Sequence, residues 1–169
     1  IMEINDIYDK GLIISKTDEF GLESFEEGTN IIKDLCNSDS LILVIDDKSI
    51  ESTLGIVSTI RARINLILLD VINFERQYKK IIQKFQPDLI LSSNKTFSKL
   101  GFDNYVKTSL FNFLTCKKTN YSQSEISQFS PLVLLGTSGT SGPQKYVGLT
   151  HNNLVFNCNS IKKYLLTDE

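Results

Sequence analysis

Residues 136–147 read G-T-S-G-T-S-G-P-Q-K-Y-V. Small and hydroxylated residues fill the stretch until a lysine and an aromatic end it. Gly139 and Gly142 let the backbone take positive φ and come close to a ligand. Successive backbone N–H groups in such turns form a nest for an anion. Thr137, Ser138, Thr140 and Ser141 add hydroxyl donors, and Lys145 adds a compact positive charge at the far end. The chemistry this composition suits is recognition of a phosphate or polyphosphate. A flexible Gly/Ser linker has the same composition. What sets the stretch apart is its approach: P-L-V-L-L at 131–135 reads as a strand leading directly into it. Open α/β sheets bind ligands just beyond the carboxyl ends of their strands.

Two familiar phosphate loops do not fit. A Walker A loop needs lysine directly after its last glycine, then Ser or Thr, opening a helix. Here Pro143 follows Gly142, Lys145 comes two residues later, and Y-V-G-L-T reads as extended chain. The dinucleotide fingerprint G-x-G-x-x-G is absent from the loop.

The longer run T-S-G-T-S-G-P-Q-K-Y-V-G-L-T-H-N-N-L at 137–154 resembles the signature of the acyl-adenylate-forming enzymes. That superfamily includes acyl-CoA synthetases, nonribosomal adenylation domains and luciferases. Its signature runs T-S-G-[ST]-T-G-x-P-K-G-V, followed by T-H-x-N-L. Thr137, Ser138, Gly139, Thr140, Gly142 and Lys145 match, as do Thr150, His151, Asn153 and Leu154. Ser141 replaces threonine, Pro143-Gln144 replaces x-Pro, and Tyr146 stands where the family has glycine. Upstream, S-F-E-E-G-T-N-I-I-K-D-L at 24–35 looks like the family's early T-Y-x-E-L helix. I-R-A-R-I-N-L-I-L-L-D at 60–70 is similar to L-K-A-G-x-x-Y-V-P-I-D, with Arg63 in place of the glycine and Leu68 in place of the proline.

The resemblance implies ATP-dependent activation of a carboxylic acid, giving an acyl-adenylate and pyrophosphate, with coenzyme A or a carrier protein as a possible later acceptor. It implies that Ser138, Gly139, Thr140, Ser141, Gly142 and Lys145 contact the β- and γ-phosphates, while Thr137 braces the turn. Phosphoryl chemistry of this kind is mostly positioning and charge stabilisation. The family's motifs for adenine, ribose and Mg²⁺, and its C-terminal lysine, all come later than Glu169. Residues 1–169 are therefore expected to be the N-terminal portion of the large domain and to be inactive alone.

The elements that must carry this loop are legible as hydrophobic patterns. S-F-E-E at 24–27 has capping-box form, with Ser24 expected at the N-cap. L-I-L-V-I at 41–45 and I-N-L-I-L-L at 64–69 are continuous apolar runs, as expected of strands buried on both faces. Asp46 and Asp47 are expected to cap the helix between them, whose apolar face is Ile50, Leu54, Val57 and Ile60. Phe74, Tyr78, Ile81, Ile82 and Phe85 mark another helix, with Asn73 as its expected cap and Pro87 as its stop. D-L-I-L-S then reads as a short strand, and Leu154, Cys158, Ile161 and Leu165 as a final helical stripe capped by Thr150 or Asn152. Residues 92–130 give only a weak alternation in V-K-T-S-L-F-N-F-L and a polar loop in T-N-Y-S-Q-S-E-I-S-Q. Strand, helix, strand, helix, strand at these loop lengths implies an α/β fold with a mostly parallel sheet flanked by helices.

Composition narrows the partners. A net charge of −2 supplies no field for nucleic acid or an anionic membrane, and no apolar run approaches the roughly 20 residues of a membrane span. Cys36, Cys116 and Cys158 are odd in number and widely spaced, which fits thiols in a reducing cytosol better than a disulfide framework or zinc site. Met2 reads as the natural start behind a single extra residue, Ile1. His151, the only histidine, is expected at a helix start in a structural role. Two other classes remain: a non-catalytic phosphate-binding or interaction module, and a Ser-Ser-Lys amidase. The second ranks lower, because its loop resembles G-G-S-S-G-G-S with the lysine far upstream, and no G-S-S occurs here.

Overall fold

The computed structural model describes residues 13–14, 19–20, 22–93, 96, 105–110, 113–118, 132–136 and 145–165. Their elements are β1 (Ile13–Ile14), β2 (Glu19–Phe20), α1 (Leu22–Leu35), β3 (Leu41–Asp46), α2 (Ile50–Arg61), β4 (Asn65–Asp70), α3 (Val71–Phe85) and β5 (Leu89–Ser92). There follow β6 (Tyr105–Leu110), β7 (Phe113–Lys118), β8 (Val133–Gly136), β9 (Tyr146–Leu149) and α4 (His151–Leu165). Apart from the small β1–β2 pair, the strands form one sheet in the order β6-β7-β5-β3-β4-β8-β9.

The middle of this sheet is parallel, as the apolar runs require. Ile42 lies level with Leu66 on β4 and Leu89 on β5, and Leu66 is level with Val133 on β8. Successive side chains of a strand point to opposite faces, so each run feeds two cores. Ile42, Val44, Leu66, Leu89, Leu91 and Val133 pack with Ile32 of α1 and Ile60 of α2. Leu41, Leu43, Ile45, Ile67, Leu69 and Ile90 pack with Ile81 and Phe85 of α3. The opposite placement of α2 and α3 follows from topology. The chain steps from β3 to β4 in one direction and from β4 past β3 to β5 in the other, and right-handed crossovers then put the two helices on opposite faces. Leu154 and Val155 of α4 join the α1–α2 side.

The parallel strands are flanked by antiparallel ones. β7 pairs with β5, β6 with β7, and β9 with β8, all antiparallel. The β6–β7 hairpin lies where the sequence shows only weak alternation, and the polar segment at 119–128 lies outside the described residues.

Three caps differ from the sequence reading. α1 already begins at Leu22, which puts Ser24 inside its first turn rather than at the N-cap. Ser49, not Asp46 or Asp47, caps α2, its hydroxyl accepting from the Ser52 N–H at 3.1 Å. Asp46 instead accepts from the Lys48 N–H at 2.8 Å and the Ser52 hydroxyl at 2.7 Å, bracing the turn between strand and helix. Asp70, not Asn73, caps α3, accepting from the Ile72 N–H at 2.8 Å. For α3 the helix starts closer to the strand than the apolar stripe suggests, so the cap falls earlier; for α2 the turn after β3 is longer, so the cap falls later. The stop at Pro87 agrees: Gln86 takes φ 44° as C-cap. At the other end of the sheet, the Leu41 N–H donates to Asp88 Oδ2 and the Asp88 N–H to the Leu41 carbonyl, both at 2.8 Å. The entries to β3 and β5 are thereby locked together.

Asp47 sits in the same turn as Asp46. Partial burial would raise its carboxyl pKa, but hydrogen bonds from Ser49 and Ser93 outweigh that and bring it below the usual 3.8. A lowered folded pKa stabilises the fold above the unfolded value and loses that contribution as pH falls through the folded one. Urea midpoints measured between pH 6 and pH 3 should thus fall further in the wild type than in Asp47→Asn. For the core, Leu43→Ala should cost about 2–5 kcal/mol by urea denaturation, because Leu43 is fully buried. The exposed Lys33→Ala should stay within about 0.5 kcal/mol.

Candidate functional site

The loop is set by its two ends. Gly136 closes β8 and pairs across the antiparallel ladder with Tyr146, the first residue of β9. Residues 137–145 therefore leave and rejoin the sheet on neighbouring strands. β8 is parallel to β4, with Leu135 level with Leu68, so Gly136 lies one residue short of the level of Asp70. The loop opens at the carboxyl edge of the parallel strands, as the strand leading into it suggests. It also opens one strand from the place where β3 and β4, side by side, send their helices to opposite faces. Such a switch point leaves a crevice beyond the strand ends.

Thr137, Ser138, Gly139, Thr140, Ser141 and Gly142 lie outside the described residues, as do Pro143 and Gln144. Lys145 is described, and it is exposed immediately before β9. Asp46 and Asp70 stand in register at the same edge. Their carboxylates are engaged by backbone and by Ser52, as above, and no group of three ligating side chains that could hold a metal occurs among the described residues.

Tyr146 is the best-anchored residue of the site. Its ring meets Phe85 of α3 edge-on, with centroids 4.7 Å apart and planes at 79°. The Lys84 ammonium stands 5.0 Å from the Phe85 centroid and 5.2 Å from that of Tyr146. An aromatic pair of this geometry is worth about 0.5–1.5 kcal/mol beyond burial, and an exposed cation over a ring about 0.5–1 kcal/mol. Burial raises the pKa of the Tyr146 hydroxyl, so the side chain stays neutral. The bulk that replaces the family's glycine is thus absorbed by the α3 face of the sheet, where Tyr146 packs alongside Leu134.

The other glycine replacement has a different explanation. Ala62 is the C-cap of α2, the Arg63 N–H donates to the Ile60 carbonyl at 3.0 Å, and the Ile64 N–H donates to Thr59 at 3.3 Å. This is a Schellman closure, which places the residue after the cap in the left-handed region. Arg63 has φ 57°. Glycine takes that conformation freely, whereas a side chain costs about 1–2 kcal/mol there.

His151 opens α4. Thr150 caps the helix: its hydroxyl accepts from the Asn153 N–H at 3.2 Å, while Asn153 Oδ1 accepts from the Thr150 N–H at 2.9 Å and hydroxyl at 2.8 Å. Of the two expected caps, Thr150 is the one used, with Asn153 as its reciprocal partner. Leu149, just before this turn, pairs with Val133 at the amino end of β8. At ~3.4 Å per residue the turn lies roughly 10 Å along the strand from Tyr146, which removes His151 from the loop's chemistry. Its Nε2 is buried with no hydrogen-bond partner. Ile161 departs from the expected stripe and is exposed, whereas Leu154 packs inward. Cys36 and Cys158 carry thiols rather than a disulfide.

The sequence reading missed the Lys84–Phe85–Tyr146 cluster. Tyr146 lies 61 positions beyond Phe85, and only the placement of α3 against β9 brings them together. A lone tyrosine after a loop lysine carries no signal of that kind.

No family model matches this chain, and no curated protein matches it. Among solved structures, it is similar to apo MatB from Rhodopseudomonas palustris, with a TM-score of 0.65 and 17% identity. The likeness covers 94% of this chain and 36% of that one, so the chain spans about a third of the structure it matches. At this identity the likeness is one of fold. The fold they share is an α/β sheet, parallel through its centre and flanked by helices.

Proposed function

We propose that this chain is the phosphate-binding, N-terminal part of an ATP-dependent carboxylate-activating enzyme. The observation that carries the reading is the seat of T-S-G-T-S-G-P-Q-K, held between paired Gly136 and Tyr146 at the carboxyl edge of a sheet similar to that of adenylate-forming enzymes. In that reaction a carboxylate oxygen attacks the α-phosphorus of ATP. The bond to the bridging oxygen breaks, and pyrophosphate leaves with its electron pair. The loop's task is to hold the β- and γ-phosphates while charge builds on the leaving group, which is electrostatic work for preorganised donors. Ser138, Gly139, Thr140, Ser141 and Gly142 would supply those donors and Lys145 the cation, with Thr137 bracing the turn. Magnesium accompanies ATP in this chemistry, but Asp46 is engaged in bracing its turn and Asp70 in capping α3, and neither is assigned to the ion. The acid and the later acceptor, coenzyme A or a carrier protein, would be met by other parts of the enzyme.

A second reading, a phosphate-binding module without turnover, is favoured by one observation. Phe156 and Tyr164 on α4 are strongly exposed, and the chain spans 36% of the solved structure it matches. Both readings share the loop, and activity separates them. No helix among the described residues is long and apolar enough to cross a membrane.

The 169 residues alone should bind inorganic tripolyphosphate weakly by calorimetry, on the order of millimolar, or about −4 kcal/mol. Lys145→Ala should weaken that roughly tenfold, about 1.4 kcal/mol, without moving the urea midpoint. The same residues should give no carboxylate-dependent exchange of labelled pyrophosphate into ATP. Robust exchange would overturn the view that they are part of a larger site, and undetectable tripolyphosphate binding would overturn the phosphate-loop assignment.

A further inference from the structure

We infer that Tyr146 is a positioning residue that fixes the backbone from which Lys145 projects, using the Phe85–Lys84 face of α3 as its anchor. This rests on the reading of the loop as a polyphosphate site. Two constraints hold the chain where the loop rejoins the sheet. One is the ladder pairing of Tyr146 with Gly136. The other is the Tyr146 ring, fixed edge-on against Phe85 and under the Lys84 ammonium. The ladder alone ends at a glycine, whose backbone is the most permissive in the chain. The ring supplies what the glycine lacks, a half-buried side chain packed against the core.

Consecutive Cα atoms are about 3.8 Å apart, so pinning residue 146 leaves Lys145 little room to move. A charge that must meet a phosphate oxygen gains from such restraint, because less order has to be created on binding. The resemblance puts glycine at this position, and such a chain would have no anchor here. Tyr146 therefore adds a device that the motif itself does not contain. The anchoring contacts, to Phe85 and to the Lys84 ammonium, are made by the ring.

The test compares Tyr146→Phe, Tyr146→Gly, Lys145→Ala, the Lys145→Ala/Tyr146→Gly double variant and a core control, Ile90→Val. Two quantities are read: amide exchange at residues 145–149 without ligand, and affinity for tripolyphosphate. Tyr146→Phe and Ile90→Val should match the wild type in both. Tyr146→Gly should raise exchange at Lys145 and Tyr146 at least tenfold and weaken binding about tenfold. The double variant should bind no more weakly than Lys145→Ala alone, since Tyr146 acts through that lysine. Unchanged exchange in Tyr146→Gly, or fully additive losses in the double variant, would overturn the inference. Should the wild type bind no tripolyphosphate, the phosphate reading fails, and the exchange measurement still decides whether Tyr146 anchors Lys145. If Tyr146→Gly does not fold, Phe85→Leu removes the partner ring while leaving an apolar side chain in the core, and is read in the same way against the Ile90→Val control.

Discussion

Burial of the central strands on both faces is the constraint from which the rest of the molecule follows. Leu41, Ile42, Leu43, Val44 and Ile45 are all fully buried, and so are Leu89, Ile90 and Leu91. A strand in this position has no solvent face on which to carry chemistry, so polar groups collect where it ends. Asp46, Asp70, Ser92 and Ser93 all stand at or just past a strand terminus. Several of them then satisfy the first turn of the next helix. The carboxyl edge is polar because the middle of the sheet cannot be.

The same constraint explains what could be read in the sequence. Runs such as L-I-L-V-I admit few alternatives, since a continuous apolar stretch of that length fits only a strand covered on both sides. β3, α2, β4, α3 and β5 were accordingly visible in order. The β6–β7 hairpin was not, because its pairing is set by position at the margin of the sheet and leaves a weaker pattern. Caps were displaced for a related reason. Apolar periodicity shows where a helix touches the core, not where its hydrogen bonding begins, and Ser49 and Asp70 both precede the first inward residue.

For the site, the loop's composition, its leading strand and its edge of the sheet were legible, whereas its anchor was not. Arg63 and Tyr146 both stand where the resembled motif has glycine, and the structure separates them. At Arg63 the backbone is left-handed, so a glycine there would serve the conformation of the chain. At Tyr146 the residue lies in an ordinary strand with its ring packed on α3, so the side chain takes on a role of its own. One replacement strains the backbone and the other adds a contact, a difference that the letters alone do not reveal.

The pairing of Gly136 with Tyr146 also bears on how freely the segment between them can change. Once the two ends sit side by side on a ladder, the fold asks only that the intervening chain close a circuit. The entropy of that closure grows slowly with length, by about 0.6 kcal/mol for each doubling. The core clusters draw on the residues that flank the loop, Leu134, Leu135 and Tyr146. On the reading proposed above, recognition would fall to the stretch between these flanking residues. On that reading, exchanges within 137–144 would retune what is bound while the Gly136–Tyr146 pairing holds the register of the sheet.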